Sequence, residues 1–191
     1  MKKVIVIAGH AGVGKSSLGR MLAARTGFTL LDSDTLTTPL TSALMKELTG
    51  DPDDRMSSQY RVDVRPFQHE TLLNTLWDQL EVQVAGVVLV APFVKELRDA
   101  QWREELHGKC ESLGYEAEVV WIHCDPKTQY TRLTQRNSAA DATLNYWDTW
   151  ANSLPRPSIP SDTVLDNSAA GWGTFQAFVE TVAPKHPNAD S

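Results

Sequence analysis

The sequence has little cysteine, no long apolar run and no surplus of positive charge. Cys110 and Cys124 are its only cysteines, too few and too far apart for a disulfide framework or a metal-ligand pair. We therefore expect reduced thiols in a cytoplasmic protein. Because no apolar run approaches the length of a membrane span, no membrane association is expected. The net charge of −6 argues against a nucleic-acid partner but leaves a local basic cleft open.

The length and composition are those of one globular domain. The chain has 191 residues, of which 41% are hydrophobic and 22% are charged, which suffices for one core but not for two domains of usual size. Short apolar segments alternate with amphipathic ones. This alternation predicts an α/β fold with a five-stranded, mainly parallel sheet and helices on both faces. We expect a single domain over residues 1–183, a frayed tail over 184–191, and a monomer or homodimer.

The most specific motif follows the first apolar run, at residues 4–7. Eight consecutive residues match the phosphate-binding pattern G-x-x-x-x-G-K-[ST]: Gly9, His10, Ala11, Gly12, Val13, Gly14, Lys15 and Ser16. A helical stretch at 17–25 follows, so strand, loop and helix have the order that this chemistry needs. Backbone N–H groups as far as Ser17 would cradle the phosphates of ATP, while Lys15 reaches the β and γ phosphates. The Ser16 hydroxyl would bind Mg²⁺.

Two acidic residues end the second predicted strand, at residues 28–31. Asp32 and Asp34 would lie near the phosphate loop, because open α/β sheets bind ligands at the carboxyl ends of their strands. One interpretation is therefore a direct role in the site. The alternative is that Asp34 caps a helix over residues 36–48, with Pro39 in its first turn or in the loop before it. Both interpretations can hold for different carboxylates.

The third predicted strand, at residues 86–90, is apolar throughout, as in a strand buried on both faces. It ends in Ala91, Pro92 and Phe93, without the acid that many P-loop enzymes place there for the magnesium shell. That absence increases the importance of the acids after the second strand. A single amphipathic helix is expected over residues 95–113.

One pair of arginines opens a helical pattern that spans residues 60–84. Arg61 and Arg65 lie four residues apart and would share a helix face, although Pro66 disfavours helical geometry at Arg65. An acidic ligand would suit the pair. Plain solvation of two surface arginines is the alternative.

A second pair of arginines follows the fourth predicted strand, at residues 118–124. Arg132 and Arg136 share a face of a helix predicted for residues 126–136, so they could point at nucleotide phosphates or simply be solvated. The chain then continues through a polar and aromatic flap, a proline-rich connection, a fifth strand and a closing helix. These segments are predicted at residues 137–150, 154–160, 163–167 and 172–182.

The combination resembles the small-molecule kinase branch of the P-loop proteins. That branch includes shikimate kinase, gluconate kinase, chloramphenicol phosphotransferase and, most similar, the zeta-toxin-like ATP-binding proteins. The resemblance rests on the phosphate loop, the Asp32 and Asp34 pair, the second arginine pair with Asp141 and Trp147 behind it, and residues 165–168. It implies a three-layer P-loop NTPase fold of the nucleoside-kinase type with an arginine-bearing lid at about 137–150.

The resemblance also implies roles for individual residues. Asp32 would hold a magnesium-bound water, and Asp34 would accept the proton of the attacking hydroxyl. Arg132 and Arg136 would touch the nucleotide phosphates. Arg61 and Arg65, together with the weaker candidate Arg55, would grip the acceptor. Asp166 and Asn167 are weaker candidates for contacts with the nucleotide base.

These expectations converge on phosphoryl transfer from ATP to a hydroxyl group of a small molecule. Such a reaction depends on positioning and on charge neutralisation more than on covalent chemistry. Two alternatives stay open. One is an ATP-hydrolysing regulatory switch that acts through a protein partner, and the other is a kinase for nucleic-acid 5′-hydroxyl ends, against which the acidic balance counts.

Overall fold

The computed structural model describes residues 2–136, 161–168 and 172–183. Within them, one sheet is formed by β1 (Lys2–Gly9), β2 (Thr29–Asp32), β3 (Gly86–Val90), β4 (Tyr115–His123) and β5 (Thr163–Asp166). The helices are α1 (Lys15–Thr26), α2 (Ser33–Thr49), α3 (Arg65–Glu81), α4 (Ala100–Ser112), α5 (Pro126–Arg136) and α6 (Trp172–Val182). Two short turns are a π-turn at Tyr60–Val64 and a 3₁₀ turn at Glu96–Arg98.

The sheet has the order β2-β3-β1-β4-β5, and every strand pair is parallel. The predicted five-stranded parallel sheet is therefore confirmed. In the register, Ile7 of β1 pairs with Val90 of β3, and Val90 pairs with Asp32 of β2. Because these residues are level, the ends of β1, β3 and β2 form one continuous edge, at which ligands of such sheets bind.

Alternating side chains of β1 divide the core into two halves. Val4 and Val6 face a cluster that contains residues of α3 and α4, whereas Ile5 and Ile7 face one that contains residues of α1 and α6. The period of two along a strand produces this division. All four side chains are fully buried, so β1 is a fixed strand from which the following loop starts.

The second helix begins earlier than the sequence predicts. The Oδ1 atom of Asp32 accepts a hydrogen bond of 3.0 Å from the backbone N–H of Asp34, so Asp32 is the N-cap and α2 starts at Ser33. The prediction that Asp34 caps a helix from residue 36 is wrong, because the last residue of β2 already supplies the cap. Pro39 lies inside α2, and not in a first turn or a preceding loop.

The chain between β3 and β4 is also more divided than predicted. In place of one helix over residues 95–113, the 3₁₀ turn precedes α4. Asp99 separates them, since its Oδ1 accepts hydrogen bonds from the backbone N–H groups of Gln101 (3.0 Å) and Trp102 (3.4 Å) and so starts a new helix.

A π-turn opens the helical region predicted for residues 60–84. The backbone N–H of Arg65 bonds to the carbonyl of Tyr60, and Arg65 itself is helical. Pro66 then falls in the first turn of α3, where its missing N–H would have had no helical partner. The expectation that Pro66 moves Arg65 out of helical geometry is therefore wrong.

Three predicted segments lie outside the described residues: the flap at 137–150, with Asp141 and Trp147, the connection at 154–160 and the tail at 184–191. In the part of the chain that the structure describes, no helix is both long and apolar enough to cross a membrane.

Candidate functional site

The phosphate-binding motif forms the connection between β1 and α1. Gly14 adopts a left-handed conformation and is the N-cap of α1, and its carbonyl accepts hydrogen bonds from Ser17 and Leu18. Lys15 and Ser16 therefore occupy the first turn of the helix. The N–H groups of a first helical turn and the positive end of the helix dipole favour an anion at this position.

Three side chains hold the carbonyl groups of this loop. Lys15 Nζ donates to the His10 carbonyl at 2.8 Å, Gln129 Nε2 to the Ala11 carbonyl at 2.6 Å, and Asn167 Nδ2 to the Val13 carbonyl at 2.8 Å. Gln129 and Asn167 are 2% and 3% exposed. Residues of α5 and of the turn after β5 therefore hold the loop from the protein interior.

Sequence reasoning missed Gln129 and did not predict the contact that Asn167 makes with the phosphate loop. Asn167 was expected to lie against the nucleotide base, but its amide is buried on the phosphate loop. Gln129 lies 118 residues from its partner Ala11, and no motif marks it. Both residues position the phosphate loop through its backbone.

The two acids after β2 have different surroundings. Asp32 is 4% exposed and uses Oδ1 to cap α2. Asp34 is exposed in the first turn of that helix. Since neighbouring strands are about 4.8 Å apart, Asp32 stands about 10 Å along the edge from β1, with the end of β3 between them. Asp32 thus ends β2 at the sheet edge, and Asp34 follows it in the first turn of α2.

Hydrogen bonds join α2 to α3 beside these acids. Tyr60 Oη donates to Gln68 Oε1 at 2.9 Å, Gln68 Nε2 donates to Thr37 Oγ1 at 2.8 Å, and Thr37 donates to the Ser33 carbonyl at 2.8 Å. Burial raises the pKa of the Tyr60 phenol; among the nearby charges Arg55 and Arg65 lower it and Asp34 raises it. Asp34 and these two arginines thus lie close enough to act on the same phenol.

The three arginines predicted to grip an acceptor have three different environments. Arg65 Nη2 lies 3.3 Å from Glu96 Oε1. Arg55 donates to the carbonyls of Pro52 and Asp54 and, through Nη2, to Ser42 Oγ, so it braces its own loop. Arg61 is exposed. Arg55 and Arg65 thus share the surroundings of Tyr60 but have different hydrogen-bond partners, and the three arginines do not form one group.

His10 and Arg98 add a feature that the sequence did not reveal. The His10 ring meets Trp121 edge-on, with 5.5 Å between ring centroids. Burial, together with the smaller effects of the Lys15 and Arg98 charges, lowers the pKa of His10 from 6.5 to about 4. Arg98, in the turn after β3, thus contributes positive charge near the phosphate loop.

Acid should destabilise the ligand-free protein through His10. Its pKa falls from 6.5 to about 4 on folding, so between these values the unfolded chain binds a proton that the folded chain does not. Stability is then lost as the pH falls from about 6.5 to about 4, by up to about 3 kcal/mol.

Urea unfolding of the wild type and of His10→Gln at several pH values checks this expectation. The carboxyl groups with lowered pKa, such as Asp125 and Asp166, add their own losses only near and below pH 4. The variant should therefore show a flatter stability profile above pH 5. Parallel profiles for the two proteins in that window would contradict the assignment.

The opposite side of the phosphate loop contains Arg132 and the turn after β5. Burial raises the pKa of Cys124 to about 11, and Arg132 opposes that rise, so its guanidinium lies beside this thiol. Within the described residues, Arg132 Nη1 is buried without a hydrogen-bond partner. Asp166 Oδ1 accepts from the Ser168 N–H and hydroxyl, at 2.9 and 2.6 Å. The side chain of Arg136 is outside the described set.

The donor groups fit a magnesium ion that arrives with a nucleotide. In residues 2–136, 161–168 and 172–183, no three His, Cys, Asp or Glu side chains cluster to hold a metal. Mg²⁺ is commonly bound by one or two protein oxygens together with phosphates and waters. The Ser16 hydroxyl and the Asp32 carboxylate are oxygen donors of this kind.

The fold is that of a P-loop protein of the α/β kinase type. Three features define it: the loop between β1 and α1, the order of the parallel sheet and the helices on both faces. The chain belongs to the AAA_33 family, described as an AAA domain, whose model matches residues 4–157. The predicted resemblance to P-loop kinases is thereby confirmed. No curated protein sequence matches the chain significantly.

Solved structures share this fold over nearly the whole chain. A candidate kinase from Chloroflexus aurantiacus has a TM-score of 0.67 at 16% identity, covering 95% of this chain and 96% of that one. A gluconokinase from Sinorhizobium meliloti 1021 has a TM-score of 0.57 at 19% identity, with 95% and 93% covered. A shikimate kinase from Bacteroides thetaiotaomicron has a TM-score of 0.57 at 13% identity, with 94% and 95% covered. At such identities the likeness establishes the fold.

Proposed function

We propose that this protein is an ATP-dependent kinase that transfers the γ-phosphoryl group to a hydroxyl of a small molecule. One observation supports this most strongly: the phosphate loop after β1 and the exposed Asp34 after β2 stand at the same sheet edge, on either side of the end of β3. An anion cradle and an accessible carboxylate are the two parts that phosphoryl transfer to an alcohol requires.

The reaction forms one bond and breaks another. The hydroxyl oxygen of the acceptor bonds to the γ-phosphorus, while the bond from that phosphorus to the oxygen bridging the β and γ phosphates breaks. The hydroxyl proton passes to the Asp34 carboxylate, and ADP leaves. Asp34 thus orients the nucleophile and accepts its proton.

Positive charge neutralises the phosphates during this transfer. Lys15 exchanges its bond to the His10 carbonyl for the β and γ phosphates, and the loop N–H groups hold the same anion. Ser16 and Asp32 would hold Mg²⁺, which would supply further neutralisation of the phosphates when bound. Arg132 and Arg136 are proposed as additional nucleotide contacts from α5.

The test combines binding and turnover. A metabolite panel is screened by thermal shift with a non-hydrolysable ATP analogue, because a ligand that binds only the folded chain raises its melting temperature. Positive compounds are then incubated with γ-labelled ATP and analysed for a labelled product. We expect slow ATP hydrolysis alone and label transfer with a positive compound. Fast hydrolysis that no acceptor changes would instead favour the regulatory switch, and labelled oligonucleotide ends would favour the nucleic-acid kinase.

A further inference from the structure

Arg65, His69 and Glu96 form a side-chain cluster, called here the β3-end cluster. Arg65 Nη2 lies 3.3 Å and His69 Nδ1 3.1 Å from the same oxygen, Glu96 Oε1. Arg65 Nη2 is also 3.5 Å from Oε2. The three side chains are 22%, 16% and 18% exposed. They are therefore largely withdrawn from solvent but still reachable.

The cluster lies between the two halves of the proposed site. The His69 ring packs against Phe93, just after β3, with 5.6 Å between ring centroids. In the sheet, β3 separates β2, which leads to Asp34, from β1, which leads to the phosphate loop. An acceptor that spans these two halves crosses the end of β3, beside which the β3-end cluster lies.

Glu96 compensates the charge of Arg65. Burial alone raises the pKa of the Glu96 carboxyl. The hydrogen bond from His69, a backbone hydrogen bond and, last, the charges of His69 and Arg65 outweigh it, so the net effect is a lowered pKa. Glu96 is therefore ionised at neutral pH. Of the other acceptor arginines, Arg55 is occupied in its own loop.

The paired groups favour hydroxyls as ligands. A carboxylate side chain only accepts hydrogen bonds and a guanidinium only donates them, whereas a hydroxyl does both. A hydroxyl can therefore donate to Glu96 and accept from Arg65. A carboxylate ligand would satisfy Arg65 but place its charge against that of Glu96, and such like-charge contacts select against a partner.

We propose that the β3-end cluster selects an uncharged, polyhydroxylated acceptor, of the sugar or polyol class, over an acidic one. This inference rests on the proposed kinase function and narrows its acceptor. The sequence instead predicted that Arg61 and Arg65 together suit an acidic ligand. That expectation did not include Glu96, which pairs with Arg65 and would repel an acid.

Matched ligand pairs that differ in one carboxylate provide the test. Glucose with gluconate and glycerol with glycerate are titrated calorimetrically into the chain saturated with a non-hydrolysable ATP analogue. The wild type should bind the neutral member of a pair more tightly. Glu96→Gln should move the preference toward the acid by at least about tenfold, because a like charge is removed while Arg65 stays. Glu70→Gln, an exposed neighbour on α3, is the control and should leave the preference unchanged.

A double variant guards against misfolding of the single one. Arg65→Gln/Glu96→Gln removes both charges of the ion pair. It should bind the neutral members more weakly, and it should move the preference toward the acids less than Glu96→Gln does, because Arg65 no longer attracts the carboxylate. The inference is overturned if the wild type binds no neutral member or prefers the acids, or if Glu96→Gln leaves the preference unchanged. Label transfer to gluconate or glycerate alone would overturn it while leaving the kinase proposal intact. Neutral ligands that bind without ever receiving phosphate would contradict the kinase proposal instead.

Discussion

Asp34→Asn should lower the rate of phosphoryl transfer by about 10² to 10⁴, the usual contribution of a general base, and leave nucleotide binding nearly unchanged. The amide cannot take the proton of the attacking hydroxyl. Asp34 is exposed and does not cap α2, since Asp32 does, so the substitution removes charge without removing a structural contact. Turnover is measured with the acceptor from the panel, and nucleotide affinity by calorimetry.

The control for Asp34 is Asp63→Asn. Asp63 is also an exposed acid, in the π-turn before α3, and its neutralisation changes the net charge by the same amount. It should leave the transfer rate within about twofold, as surface substitutions usually do. If Asp34→Asn retained most of the activity, another group would have to accept the proton.

Most of the fold could be predicted from local sequence patterns. The apolar run of β3, fully buried along its length, and the glycine-rich motif before Lys15 each determine their structure within a few residues. Errors arose where two local signals competed. At α2, Asp32 and Asp34 were both suitable caps, and the last residue of the strand prevailed. At α4, Asp99 stopped a helical pattern that hydrophobic spacing alone extended to residue 95.

The details of the site depended on distant partners. Arg65 meets Glu96 across 31 residues, and Asn167 meets Val13 across 154. No spacing rule connects such residues, because the crossover connections of a parallel sheet bring them together. The sequence could therefore propose chemical groups for a candidate site but could not tell an arginine with an acidic partner from one without.

Gly14→Ala should weaken nucleotide binding far more than left-handed backbone strain alone would weaken it. Gly14 has a φ of 100°, and a Cβ there would lie 2.5 Å from Asn167 Nδ2. Either the loop or the Asn167 amide must move, and the bond of that amide to the Val13 carbonyl is lost. We expect nucleotide affinity and transfer rate together to fall by about 10², the loss that a displacement of about 1 Å can cause.

Gly50→Ala separates strain from contact. Gly50 has a φ of 80° but nothing within 4 Å of its would-be Cβ, so alanine there costs about 1 to 2 kcal/mol of left-handed strain and should leave nucleotide affinity unchanged. Asn167→Ala completes a double-mutant cycle. In the Gly14→Ala background it should weaken nucleotide binding less than in the wild type, since the contact it removes is already broken. Additive losses in that cycle would mean that Asn167 does not hold the phosphate loop through Val13.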